Sequence, residues 1–504
     1  MQQFPLILLG LILYIFPCHS QEYVKRIETN LVDGFSRESF VEFGEQGIIV
    51  RSRRGEYVDG QEEWVFQKYD TELEKTESSS FLIDKRYNLD ISTQTDDRHF
   101  LLYLDRKERY ILGNIGIGDM IFSKVSGELP KKSRISDMVV LGNYIYTKAY
   151  IKKEPVLYTI NWKTGERSLI PVDIPGIKRK NIRVQNLQVL EEANEVLLYV
   201  VAVNSRKKSD MFVLRMDSNG QLLEQFNLTE KVETNIIDIT SHKLTKDRYI
   251  YTGTYSDKRV DRSNGLFFAQ ATKGNIDFIK LYNFLDLEEF LSYLPERREK
   301  KIERKKKRKK SKDKELNINY FIADHDIIEL ENGYLFVGEA YYPTYRSVPY
   351  TTYRIVNNIS TPVTQYRSEF AGYQYTHGVI SKFNKNGELL WDTNFELYQA
   401  YRPYTVKRFI KIAEASEKGI QLAFSSRNKL VSKYINPEGE ISEEQETEEI
   451  ETGYDGDKSK WANSNLSYWY DNYFLAFGSQ KIKNKEDKSV KRKRKVLFMN
   501  KIRY

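Results

Sequence analysis

The stretch VISKFNKNGELLWDTNF at 379–395 constrains the fold more than any other. Apolar and polar residues alternate on both sides of a polar turn running from Asn384 to Gly387. A period of two marks a strand with one buried face, and two such strands around a short turn make a β-hairpin. The unit recurs as FVLRMDSNGQLLEQFNL at 212–228, LYTINWKTGERSLIPV at 157–172, FAQATKGNIDFIKLY at 268–282 and LVSKYINPEGEIS at 430–442. Each turn carries Gly or Asn, the residues that tolerate positive φ.

The turns recur every ~40–55 residues, the period of propeller blades. Eight units can be marked, at 38–80, 87–133, 136–172, 182–229, 236–282, 320–397, 405–447 and 466–504. The last supplies only three strands, and EYVKRIETN at Glu22–Asn30 is the candidate for its fourth. A strand donated across the ring would remove the open edges that otherwise invite aggregation. The 36 Tyr and 26 Phe against 12 Pro suit pleated, half-buried surfaces. The expectation is an all-β chain: a single β-propeller of eight four-stranded blades, with seven as the alternative. The segment NGELLW at 386–391 resembles the repeat of the eight-bladed quinoprotein-like (PQQ-like) propellers. The cofactor ligands of that family have no counterpart here, so the resemblance implies the architecture and no cofactor.

Residues 4–16 form an apolar stretch of export-signal length, too short to span a bilayer. Cys18 and Ser20 place small residues at the minus-three and minus-one positions, which puts cleavage before Gln21. A retained anchor, or a lipid on Cys18, is the alternative. Cys18 is the only cysteine, so a mature chain has no disulfide, thiol nucleophile or Cys-based metal site. Export without disulfides points to a bacterial envelope: periplasm, cell surface or secreted. The domain reading is a signal peptide at 1–20 and the propeller at 21–504.

Two insertions interrupt the repeat. The first, 285–315, opens on a helical pattern, LDLEEFLSYL, and runs on into RREKKIERKKKRKKSKDKE. That run has thirteen Lys or Arg against four Asp or Glu, a net of +9, whereas the whole chain carries +8. Positive charge is therefore segregated rather than spread. The second, 341–374, is a Tyr-rich ribbon splitting the sixth unit between its second and third strands. Strands alternate direction within a blade, so both insertions emerge on the same face. Shorter basic runs at 51–54, 131–134, 178–180, 206–208, 258–262 and 483–495 are assigned to that face as well. The segment 438–457, with ten Asp or Glu and no Lys or Arg, is a counterweight.

The candidate binding residues follow. Arg297, Arg298, Lys305, Lys306, Lys307, Arg308, Lys309 and Lys310 form the basic segment. Tyr341, Tyr342, Tyr345, Arg346, Tyr353, Arg354, Tyr366, Arg367, Tyr373 and Tyr375 form the ribbon. Tyr and Arg are enriched in binding hot spots because they combine large area with polar tips. The expected partner is a protein, an anionic polysaccharide or a lipid headgroup at the membrane periphery. Nucleic acid is disfavoured, since no nucleic-acid fold signature accompanies the basic runs.

Catalytic signals are sparse. Asp324, His325 and Asp326 are the one cluster with metal-ligand chemistry, but neighbours on a strand point to opposite faces, so no metal is expected. GNIGIG at 113–118 precedes no helix and reads as a strand connection. The functional expectation is an exported, non-enzymatic scaffold or binding protein of the cell envelope. The alternative is a propeller hydrolase or lyase acting on anionic polysaccharide, which carboxyl groups of raised pKa along the channel would favour.

Overall fold

The computed structural model describes residues 21–504 other than 31–34, 205–207, 260, 313–315, 357–358, 416–418, 437–439 and 442–444. The export segment lies outside the described residues, as do Arg206, Lys207 and Lys314 of the basic runs. Eight antiparallel sheets succeed one another, at 35–84, 88–128, 133–171, 182–227, 235–283, 321–396, 411–449 and 457–503. The chain is an eight-bladed β-propeller. In blade 8 only three strands come from the end of the chain. Glu22–Asn30 pairs with Lys493–Arg503 as its outermost strand, in register from Glu22 against Arg503 to Asn30 against Val496.

Burial explains the closure. Apolar residues of each blade meet those of the next in eight clusters, one per junction. The junction between blades 8 and 1 is among them, where Ile48, Val50 and Leu73 pack on Trp469, Leu475 and Met499. Eight junctions among eight blades leave no free sheet face. The first strands of the blades lie side by side from blade 2 to blade 6, and from blade 7 through blade 8 to blade 1, around the central channel.

A bulge recurs in these inner strands, after Leu89, Ile135, Val184 and Ile236. In three blades a polar residue follows it and caps its own backbone. Asp137 Oδ1 accepts the N–H of Met138 at 2.9 Å, Asn186 that of Leu187 at 2.8 Å, and Asp238 that of Ile239 at 3.0 Å. Bulges re-aim side chains, and here they place Asp137, Asn186 and Asp238 at equivalent positions of three adjacent inner strands.

Both insertions leave from the same face, as strand direction requires. The first differs from its sequence reading. Residues 285–294 form turns, not a helix, because Leu285, Leu287, Phe290 and Leu291 are drawn into the junction between blades 5 and 6. The Asp392 carboxylate fixes these turns by accepting the N–H groups of Glu288 at 2.8 Å and Glu289 at 2.9 Å. The helix is the charge run itself, α1 (Glu296–Lys310). Lys, Arg and Glu are good helix formers; Glu296 and Glu299 sit at its positive end and Lys307 to Lys310 at its negative end. Among the described residues, no helix is long and apolar enough to cross a membrane.

The run 51–54 is also not a loop. It lies within the strand Ile48–Val58, where Arg51 is buried 3.0 Å from His99 Nε2 and Arg53 and Arg54 pair with Glu62 and Glu63. Arg494 of the run 483–495 is buried against Glu28 and Asp457.

Candidate functional site on the insertion face

On this face, α1 exposes Arg297, Arg298, Lys305, Lys307, Arg308 and Lys310. Lys306 and Lys309 are half-buried; Lys306 reaches the Leu285 carbonyl and lies 3.1 Å from the Asp286 carboxylate. The root of the insertion meets the root of the ribbon, where Tyr293 stacks on His377 with ring centroids 3.9 Å apart.

The ribbon is an extension of two strands of blade 6, Gly333–Val356 and Ile359–Asn384, paired without a break in register from Tyr345 against Phe370 to Val356 against Ile359. Paired residues share a face and successive pairs alternate. Tyr345, Tyr353, Tyr366, Phe370, Pro349 and Pro362 therefore lie on one face. Arg346, Arg354, Arg367, Tyr350 and Glu369 lie on the other. The Tyr and Arg residues that the sequence suggested would act together are thus largely separated. Glu369 occupies two of the arginines, Arg346 at 3.3 Å and Arg367 at 2.6 Å. Tyr341, Tyr373 and Tyr375 sit at the ribbon root rather than on either free face. Tyr341 packs within 5.3 Å of the other two rings, and Tyr375 is 1% exposed with its hydroxyl donating to the Lys407 carbonyl. Tyr342 is exposed near α1's root.

The connection 398–410 between blades 6 and 7 packs against this root. The Gln399 amide donates to Tyr373 O at 2.8 Å, and Tyr373 N–H donates to Pro403 O at 2.8 Å. It carries Tyr401, Tyr404, Lys407 and Arg408, and the charge of Arg408 reaches the inner strands of blades 5 and 6. Beside it a cavity of about 720 Å³ opens between blades 7 and 8, walled by Tyr401 and Trp461, with Arg427 and Lys460 as cations and Asn428 and Asn463 as amides. A second, of about 540 Å³, shares Asn428 and Ser459 with it and is lined by the acidic turn 449–459.

Deeper, the inner strands of blades 5 and 6 present two carboxyls. Asp324 is 3% exposed, and neither of its carboxyl oxygens has a hydrogen-bond partner among the described residues. Burial, then the charge of Asp238, raises its pKa well above the usual carboxylate range, against an opposing pull from Arg408. Asp238 is pushed up to about 6, chiefly by desolvation, while its hydrogen bond from Ile239 and the charges of Arg408 and Lys148 act the other way. His325 and Asp326 turn elsewhere. His325 Nε2 lies 2.9 Å from Glu339 Oε1, and Glu339 also accepts the N–H groups of Phe409 and Ile410. Asp326 accepts the Thr240 hydroxyl at 3.2 Å. The sequence reading named Asp324 but missed Asp238, Tyr401, Arg427, Lys460 and Trp461. The pair Asp238/Asp324 had a legible signal, an Asp or Asn two residues after an Ile or Val in four successive inner strands (RISDM, RVQNL, NIIDI, FIAD). The cavity had none, since its walls come from two separate connections and the first strand of blade 8.

No protein-family model matches the chain, and no curated protein does. Solved structures with similar coordinates include a prolyl endopeptidase, at 10% identity over 90% of this chain and 54% of that one, TM-score 0.40. They also include an ulvan lyase of polysaccharide lyase family PL25, at 8% identity over 81% and 90%, TM-score 0.37. A third is the polysaccharide lyase Uly1, at 10% identity over 95% and 99%, TM-score 0.37. The chain spans about half the length of the prolyl endopeptidase.

Proposed function

We propose that the protein is an exported binding protein of the cell envelope whose insertion face takes up an anionic saccharide chain. The cavity between blades 7 and 8 carries this reading. Tyr401 and Trp461 offer flat apolar walls, Arg427 and Lys460 offer positive charge, and Asn428 and Asn463 offer amide groups. Sugar rings have C–H faces that stack on an aromatic quadrupole and hydroxyls that suit amides. Carboxylate or sulfate groups suit Arg and Lys. The surrounding basic residues, α1 included, raise the local concentration of a polyanion.

Trp461 is 47% exposed, so its fluorescence reports on the cavity. A polyuronate titrated into the full chain changes that emission, uncharged dextran does not, and Trp461→Ala abolishes the change. If polyuronate and dextran behave alike, or if the signal survives in the alanine variant, the cavity reading is wrong.

A second reading is favoured by Asp324 and Asp238. A carboxyl whose pKa burial raises well above the ordinary range, beside one raised to about 6, is the kind of unequal pair an acid–base enzyme uses. Under this reading the protein cleaves the chain it binds. New reducing ends or unsaturated uronate, lost on Asp324→Asn, would distinguish cleavage from binding alone.

A further inference from the structure

The aromatic face of the ribbon has no role in the cavity reading. Its exposed surface is made of Tyr345 (63% exposed), Tyr353 (72%) and Tyr366 (70%), with Pro349 and Pro362 and four Ser or Thr between them. It carries no charge along its length. Tyr345 and Tyr353 are eight residues apart, so the stripe is about 26 Å long at ~3.3 Å per residue. It does not end in solvent. Phe370 at its base packs 6.0 Å from Tyr345 and 5.8 Å from Tyr404, which belongs to the same connection as Tyr401 of the cavity wall. The base of the stripe therefore touches the same connection that supplies the cavity wall.

We infer that this face is a track along which a long saccharide chain lies by ring stacking before entering the cavity; this rests on the cavity reading for its direction but not for its chemistry. Two observations select a saccharide over a protein partner. Between the pairs Tyr345–Phe370 and Tyr353–Pro362 the stripe contains no Leu, Ile, Met or charged residue to fill or pair with a protein pocket. Its tyrosines are also spaced along one flat, pleated face instead of clustered into a central anchor, as protein hot spots are. Stacking on an uncharged face is insensitive to salt, whereas the cavity's cations are screened.

The test compares digalacturonate, which is short enough for the cavity alone, with polygalacturonate. Both are titrated into the full chain at low and high salt. The proteins are wild type, the double variant Tyr353→Ser/Tyr366→Ser, Trp461→Ala, and Thr361→Ala on the opposite face as a control for ribbon folding. The ribbon variant should bind the polymer about tenfold more weakly, by the same factor at both salts, since two lost stacking contacts amount to roughly one decade. Its affinity for digalacturonate should equal that of wild type, and Thr361→Ala should be unchanged throughout. Undiminished polymer affinity in the ribbon variant overturns the track, and so does an equal loss of short and long ligands. If digalacturonate fails to bind wild type while the polymer binds through the ribbon, the cavity reading fails and the track stands. If neither ligand binds wild type, both fail.

Discussion

Asp238→Asn is the most direct probe of the channel, because the fold itself supplies the control. Asn186 occupies the corresponding place in blade 4 and makes the same hydrogen bond to the next N–H. An asparagine at 238 keeps that bond and removes only the charge. A carboxyl ordinarily at 3.8 and held up to about 6 means that the folded protein binds this proton more tightly than the unfolded chain. Between these values the folded state holds more protons, so stability falls as pH rises from about 4 to about 6 and is level beyond. The full gap amounts to about 3 kcal/mol, an upper bound because water in the channel screens part of it. The variant escapes this loss. Urea unfolding should give the two proteins equal stability near pH 4, and the variant an advantage approaching ~3 kcal/mol above pH 6. An offset independent of pH, or a variant less stable at pH 8 than at pH 4 relative to wild type, would refute the argument.

Gly253→Ala should cost about 1–3 kcal/mol in the same assay, since its φ of +152° is foreign to L side chains and a Cβ would stand 2.2 Å from Asp238 O. Arg494→Leu should cost about 3–5 kcal/mol by stranding the buried carboxylate of Asp457, whereas a loss under ~1 kcal/mol would mean the pair is solvated. Neutralising Lys305, Lys307, Arg308 and Lys310 should change stability by less than ~0.5 kcal/mol, because α1 buries no residue. It should also shorten retention on a polyanion column at low salt and leave retention at high salt unaltered.

The blades were legible because each is a local object. Alternation fixes strands, Gly and Asn fix turns, and both act within about 45 residues. Even the donated strand Glu22–Asn30 could be found, by noticing that the last unit lacked one. The helical segment expected over 285–315 is a helix at Glu296–Lys310 and not at its start, for a tertiary reason: LDLEEFLSYL satisfies a helical period, but its apolar residues are consumed by a groove between two blades. Ribbon composition was legible and its two faces were not, since separating Tyr from Arg requires the register across the turn. The cavity was least visible, because its walls converge only once blades 7 and 8 have packed together.

Closure by Glu22–Asn30 has a topological corollary. Glu22 and Arg503 are cross-strand partners, so they sit side by side in the two outer strands of one blade. Joining them with a short linker would leave a ring with no first or last blade, and new ends could be opened at any short connection between blades. The identity of blade 8 as the composite one is thus a property of where the chain is cut, and not of the ring's packing.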